Sequence, residues 1–261
     1  MNQRTAGLLL IAPALAVIAV FFIVPLGLSV HGAFTDKAGG FTLAHFEKSF
    51  ELYTNDMVFT VTIVALSCAL IAAVAIAIAG YLTLGEHPRT KAALRWLYRW
   101  PLFIPFVVAG QVMRTFLAKN GMLNHVLVGG GLIEPIAAQS MLDWRGIVIA
   151  FVWKQATHVE AARNLGAPRW RVLFGIVLPQ VRGTLLVGLV LSFVTMLSVL
   201  SVPLMINPNS PTMMTVDVAY RISTHGDYAV ANALCLVSLL FASLGAWIYL
   251  RHAVAKAEQG A

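Results

Sequence analysis

The chain is poor in charge: Asp, Glu, Lys and Arg make up 11% of its 261 residues, against about a quarter in soluble domains. With 59% hydrophobic residues and a mean hydropathy of +0.81, that shortage excludes an ordinary soluble domain and indicates an integral membrane protein. Cysteine is almost absent. Cys68 and Cys235 both lie inside apolar runs, where they give neither a disulfide framework nor a metal-binding spacing. No GxxxxGK[ST] phosphate cradle occurs, so the chain cannot hydrolyse ATP by a P-loop. HExxH, CxxC and GxSxG are also missing and the seven histidines are scattered, which leaves no catalytic residue and no metal ligand to name. Internal repeats and Pro-, Ser- or charge-rich linkers are lacking too, so residues 1–261 read as a single membrane domain.

Long apolar runs are what the chain has instead. They fall at about 7–31, 57–84, 100–117, 183–206 and 230–250, each able to cross a hydrocarbon core that needs about 20 helical residues. A weaker run, 146–153, is too short alone. The expected fold is all-α: a polytopic bundle of five clear spans and a shortened sixth. The first run admits a second reading as a signal peptide with Arg4 as its charged region, but its long apolar part and the lack of a clear small-residue cleavage site favour a retained helix.

The net charge of +7 would suggest nucleic acid in a soluble protein, but its distribution points to topology. Lys and Arg cluster in alternate connections: Arg4; then Arg89, Lys91, Arg95 and Arg99; then Lys154, Arg163, Arg169, Arg171 and Arg182; then Arg251 and Lys256. By the positive-inside rule these segments and both termini are cytoplasmic. The other connections hold most of the acids, including Asp36, Glu47, Glu51, Asp56, Glu134, Asp143, Asp217 and Asp227. Trp96, Tyr98 and Trp100 beside Arg95 and Arg99 form an interfacial belt where the third span begins. The first outer connection, 31–56, has room for a short surface helix around 43–52. Gly129, Gly130, Gly131 and Pro135 interrupt the second, and the third, 207–229, carries Pro208 and Pro211.

One polar segment stands out between the spans, EAARNLGAPRWRVLFGIVLP at 160–179. Thr157 with Glu160 has the form of a capping box, so a helix is expected to start there. Gly166 suits its end, Pro168 the first turn of a second helix, and Pro179 lacks the donor that an unbroken helix needs. Helix, turn, helix and break follow in about twenty residues.

This segment resembles the cytoplasmic loop of bacterial binding-protein-dependent type I ABC importer permeases: EAA, three residues, Gly, nine residues, then Ile, any residue, Leu and Pro. Glu160, Ala161, Ala162, Gly166, Ile176, Leu178 and Pro179 fill every position of that pattern. Pro101 and Pro105 in PLFIPFVVAGQVMRTFLAKNGMLN are similar to the proline-bearing third helix of these permeases, with the GxxN of Gly121 and Asn124 after it. SFVTMLSVLSVPLMI, at 192–206, looks like the branch serving polyamines, ferric iron, thiamine or phosphonates rather than sugars.

The resemblance implies a transport subunit, not an enzyme, in the bacterial inner membrane. ATP and Mg belong to partner ABC ATPase subunits, and no cofactor is bound by this chain. A second permease subunit, identical or paralogous, and an extracytoplasmic substrate-binding protein complete the expected assembly, with membrane lipid around it and no nucleic acid. The loop, about 157–182, would insert into the ATPase: Glu160 meets the partner or caps the helix, Gly166 sets the angle of the two legs, and Ala161 and Ala162 allow close approach. Arg163, Arg169 and Arg171 fit acids on the ATPase and lipid headgroups equally well.

A substrate path needs polar side chains on an inward helical face. Thr195, Ser198 and Ser201 recur every three residues, with Ser192 one turn earlier. Helix packing explains such small hydroxyls as well. Gln111 and Asn232 are the other candidates, and Arg114 reads as the outer end of its helix. The rival class, an ion-coupled secondary transporter or channel, usually keeps Asp, Glu or His within its spans, and the five clear runs have none away from their ends. A purely structural anchor would explain the hydropathy but not seven matched loop positions. One departure remains: relatives carry roughly twenty more residues between the preceding helix and the loop, where this chain has only 154–159. If 144–155 begins a membrane helix, Lys154 and His158 fall at a depth where charge is expensive, so either the chain carries a deletion there or residues of the loop complete the fourth span.

Overall fold

The computed structural model describes residues 3–85, 87–156 and 178–257. Among these the regular structure is helical, with one isolated antiparallel bridge between Thr35 and Phe41 and no strand. The chain divides into two compact units: Met1–Thr54 with Asp217–Leu239, and Asn55–Val216 with Leu240–Ala261.

In the first unit, helix α1 (Gln3–Ile18) runs through a π-helical turn, Ala19–Ile23, into α2 (Val24–Phe34). The widened turn has a local cause. Pro25 lacks an N–H and its ring would crowd the carbonyl four residues back; the chain relaxes there, and the Val24 N–H reaches Ala19 O, five residues away. After α2, Asp36 Oδ1 accepts the N–H groups of Ala38 and Gly40, both at 2.8 Å. Gly39 takes φ +85 within that turn, a region that disfavours a side chain. Phe34 stacks on Phe41 and packs against Phe46.

Helix α3 (Ala44–Leu84) is 41 residues long. A separate surface helix around 43–52 is therefore corrected: the segment is helical but continuous with the second span. No glycine or proline lies between Ala44 and Ala79 to stop it.

The second unit continues with α4 (Pro88–Arg99), a 3₁₀ turn (Trp100–Phe103), α5 (Phe106–Leu117) and α6 (Met122–Gly129). A 3₁₀ turn at Pro135–Ala137 then leads to α7 (Trp144–Gln155), α8 (Leu178–Ser198) and α9 (Ser201–Ile206). Helices α10 (Met214–His225) and α11 (Tyr228–Ala257) follow and are the last of the described residues. The core of this unit joins Val64 and Ile71 of α3, Met113 of α5, Phe151 of α7, Met196 of α8 and Val202 of α9.

Among the described residues, three helical stretches are long and apolar enough to cross a membrane: Ile11–Phe34, Ala44–Leu82 and Tyr228–Ile248. A bent pair, Pro88–Phe103 with Phe106–Gly129, would make four. The five spans and shortened sixth expected from hydropathy are thus not all single helices. The 100–117 run breaks at Pro105, and the 183–206 run breaks between Ser198 and Ser201.

Candidate functional site

The interruption of the third apolar run follows from its prolines. Pro105 cannot donate to Pro101 O, so the helix stops and restarts, with Ile104 N–H reaching Pro101 O at 3.2 Å and Ala109 N–H reaching Pro105 O at 2.9 Å. The ammonium of Lys154, at the end of α7, answers the exposed carbonyls. It donates to Pro101 O and, at 3.3 Å, to Leu102 O, and lies 5.1 Å from the centre of the Phe106 ring. Lys154 is 4% exposed. The charge that looked misplaced in an apolar run is held by backbone acceptors and an aromatic face.

A second polar anchor joins α3 to the segment before α10. Asp56, 3% exposed, accepts the Thr212 N–H at 2.7 Å and the Ser210 hydroxyl at 3.1 Å. One turn on, Thr60 Oγ1 donates to Asp56 O at 2.7 Å and accepts the Met214 N–H at 2.9 Å. Two helical side chains four residues apart thereby take up the N–H groups of Thr212 and of Met214, the first residue of α10. Charge counting places Asp56 only in an outer connection; its buried partners lie more than 150 residues away and leave no local pattern.

The GxxN after α5 is also structural. Asn124 Nδ2 faces Lys119 O and Gln139 O at 2.9 Å and Ala118 O at 3.3 Å. A Cβ on Gly121 would fall 2.5 Å from Phe116 O and 2.6 Å from Thr115 O, so no side chain fits. Asp143 Oδ1 accepts the Arg145 N–H at 2.9 Å and caps α7.

The expected path residues separate. Thr195 and Ser198 lie on α8 and turn their hydroxyls to its own backbone, at Leu191 O (2.6 Å) and Val194 O (3.0 Å). Ser192 is buried, with no partner for its hydroxyl. Ser201 begins α9, beyond the break, so the three-residue recurrence does not continue along one helical face. Helix α9 packs closely on α5: a Cβ on Gly110 would sit 3.2 Å from Ser201 O and 3.4 Å from Val202 Cα. Gln111, the next residue of α5, is exposed. Arg114 donates to Met205 O at 3.2 Å, in keeping with its place at a helix end. Asn232 belongs to the other unit, where a Cβ on Gly32 would fall 2.8 Å from its Nδ2.

Of the loop residues, Glu160, Ala161, Ala162, Gly166 and Ile176 lie outside the described residues, as do Thr157, His158, Arg163, Pro168, Arg169 and Arg171. Leu178 and Pro179 open the described part of α8.

In the first unit, Asp227 bonds Lys48 at 2.8 Å, lies 3.8 Å from Arg221 and accepts the Val230 N–H at 3.3 Å. Burial alone would raise its pKa. The hydrogen bonds from Lys48 and Val230 and the two positive charges outweigh it and hold the carboxyl below its ordinary value. Arg221 also donates to the Tyr53 hydroxyl. Gly226, at φ +60, turns the chain between α10 and α11 beside this cluster.

Known proteins share both the sequence and the fold. The molybdenum transport system permease protein ModB of Escherichia coli K12 is 28% identical over 182 residues, covering 59% of this chain and 73% of ModB. The sulfoquinovosyl glycerol transport system permease protein SmoG of Agrobacterium fabrum is 24% identical, covering 96% of this chain and 91% of SmoG. That match runs over 285 residues, more than the 261 of this chain, so part of SmoG has no counterpart here. A chain of the bacterial alginate ABC transporter, solved in complex with an alginate pentasaccharide-bound periplasmic protein, has the same fold: TM-score 0.72 and 19% identity, covering 95% of this chain and 93% of that one. Residues 75–253 match the family described as binding-protein-dependent transport system inner membrane component. Taking in both the proline-broken third run and the EAA segment, that match is the ground on which this chain belongs to the inner-membrane permeases of binding-protein-dependent ABC importers.

Proposed function

We propose that this chain forms the substrate passage of an ATP-driven importer, with a second permease subunit beside it, ABC ATPase subunits docked at the 157–182 loop and an extracytoplasmic binding protein delivering the solute. The family match over residues 75–253 carries this reading, because it spans the seven loop positions that fit the coupling pattern. An ion-coupled mechanism has no such family support, and Asp56, a buried carboxylate of α3, is taken up by the Thr212 N–H and the Ser210 hydroxyl. Both termini and the 85–99 connection are assigned to the cytoplasm on their Lys and Arg. Mechanism is then alternating access without covalent chemistry. Closure of the ATPase pair pulls on the loop, and the packed contact of α5 with α9 at Gly110 transmits that movement within the membrane.

The solute is inferred to be small. The solute classes to compare are molybdenum and sulfoquinovosyl glycerol, from the names of ModB and SmoG, sulfate, from the sulfate transport system permease protein CysW of Escherichia coli K12, 34% identical over 35% of this chain, and the polyamine, iron, thiamine or phosphonate branch that 192–206 resembles. Gln111, Thr195, Ser198, Ser201 and Asn232 are the polar groups available to line a path, and a binding protein would supply much of the selectivity.

The test is co-purification of the ATPase with wild type, Gly166→Val and Glu160→Lys at equal membrane levels, followed by uptake of sulfate, molybdate and spermidine. Both variants are expected to insert normally and lose ATPase association. Normal association and uptake in both would remove the loop from coupling. Failure of the wild type itself would point to the short interval before Glu160, and inserting about 20 apolar residues there, the length of one crossing, should restore binding.

A further inference from the structure

A cavity of about 770 Å³ lies along α4 and the 3₁₀ turn that follows it, lined by Arg95, Arg99, Trp96, Trp100, Phe103 and Ile104. Spacing on the helix creates its two walls. Arg95 and Arg99 are one turn apart, and so are Trp96 and Trp100 in the adjoining row, with their rings 5.1 Å apart and tilted by 51°. Ala92, a turn before them, also lines the groove. Beyond Trp100 the helix tightens and stops, and Phe103, 81% exposed, stands out from the break. Lys154 fixes that break by bonding Pro101 O and Leu102 O, so the apolar wall is rigidly placed beside the basic one.

One polar atom in this groove is unaccounted for. Arg95 Nε is shielded from solvent and has no hydrogen-bond partner. A buried guanidinium donor left unpaired costs more than a neutral one, and a planar fork of this kind matches two oxygens of a phosphate. We propose that this cavity binds the headgroup phosphate of an anionic phospholipid. The phosphodiester sits against Arg95 and Arg99, and the upper acyl segments lie along Trp96, Trp100 and Phe103. Free phosphate shares the charge chemistry but has no use for three aromatic side chains beside the arginines. The site differs from a diffuse basic belt because only two of the four cations on α4 line it; Arg89 and Lys91 do not.

Quenching of tryptophan fluorescence by brominated lipid tests this in the full-length protein reconstituted in vesicles. Phosphatidylcholine vesicles would contain equal fractions of either brominated phosphatidylglycerol or brominated phosphatidylcholine. Wild type should show excess quenching by the anionic lipid, and the excess should vanish when Trp96 and Trp100 are both replaced by Phe. Arg95→Gln and Arg99→Gln should each weaken the apparent affinity about fivefold, in line with one arginine at an anionic surface. Arg95→Lys, which keeps the charge but loses the fork, should weaken it less, and Arg89→Gln with Lys91→Gln should leave it unchanged. Equal quenching by the two lipids would overturn the proposal. So would a loss in the Arg89 and Lys91 variant as large as in the Arg95 variant, which means a diffuse belt, or relief of quenching by inorganic phosphate, which means a soluble anion.

Discussion

Asp56 and Lys154 are two buried charges in the larger unit that solve mirror-image problems. Each is bonded to backbone groups that a break in the helical ladder leaves over. Asp56 meets a strip whose N–H groups at Thr212 and Met214 have no helical acceptor, and a carboxylate with Thr60 beside it supplies oxygen. Lys154 meets the carbonyls of Pro101 and Leu102 where a proline interrupts the helical ladder, and an ammonium supplies hydrogen. The half of the peptide left orphaned sets the sign of the charge. The two breaks are not equally dependent on their anchors. Pro101 O also receives the Ile104 N–H, whereas the Thr212 N–H relies on Asp56.

That asymmetry orders the expected effects of substitution. Asp56→Ala should cost most, about 3 kcal/mol, since it strands a buried N–H and a hydroxyl that bonded a charged group. Thermal unfolding in detergent measures it, and Asp56→Asn should lose roughly 1 kcal/mol because one acceptor remains. Lys154→Met should follow at about 2 kcal/mol, a carbonyl tolerating desertion better than a donor does. A larger loss for Lys154→Met than for Asp56→Ala would break the comparison. Asn124→Ala removes a neutral donor from three carbonyls and is expected to cost about 1 kcal/mol, which separates the contribution of charge from that of geometry.

The smallest effect belongs to the solvent-facing cluster. Asp227 has a depressed pKa in the folded chain, so its stabilisation is complete above the ordinary carboxylate range and is lost as pH falls through the depressed value. With Lys48 half exposed, the loss should be about 0.5 kcal/mol. Asp227→Asn should flatten that acid limb by lowering stability near neutral pH by the same small amount, while leaving stability below the depressed pKa nearly unchanged. A steep acid limb that persists in the variant would assign it to another carboxylate.

Much of the fold was legible where one property repeats along the chain. Apolar runs located the first, second and last long helices, because side-chain transfer into lipid depends on composition alone. Breaks were harder. The run 100–117 reads as one span although Pro105 breaks it before α5, and nothing at Val199 and Leu200 marks the end of α8, where the serine spacing continues across the break. Glu47 and Asp56 looked like loop residues, yet α3 runs through both, since an acid ends no helix by itself. Lys154 was visible as a misfit, but its acceptors lie some fifty residues earlier. The loop pattern from Glu160 to Pro179 rests on spacing alone, and all of it before Leu178 lies outside the described residues.

The widened turn at Ala19–Ile23 changes what the first helix can present to its surroundings. One extra residue in a helical ladder shifts everything after it by about 100° around the axis. Residues of α1 and α2 that share a phase when counted at 3.6 per turn therefore point in different directions. A designer extending a stripe of alanines from α1 into α2 to seat a neighbouring helix would find the stripe stepping sideways at Phe21. Replacing Pro25 would remove the cause of the step and bring the two halves into a single phase.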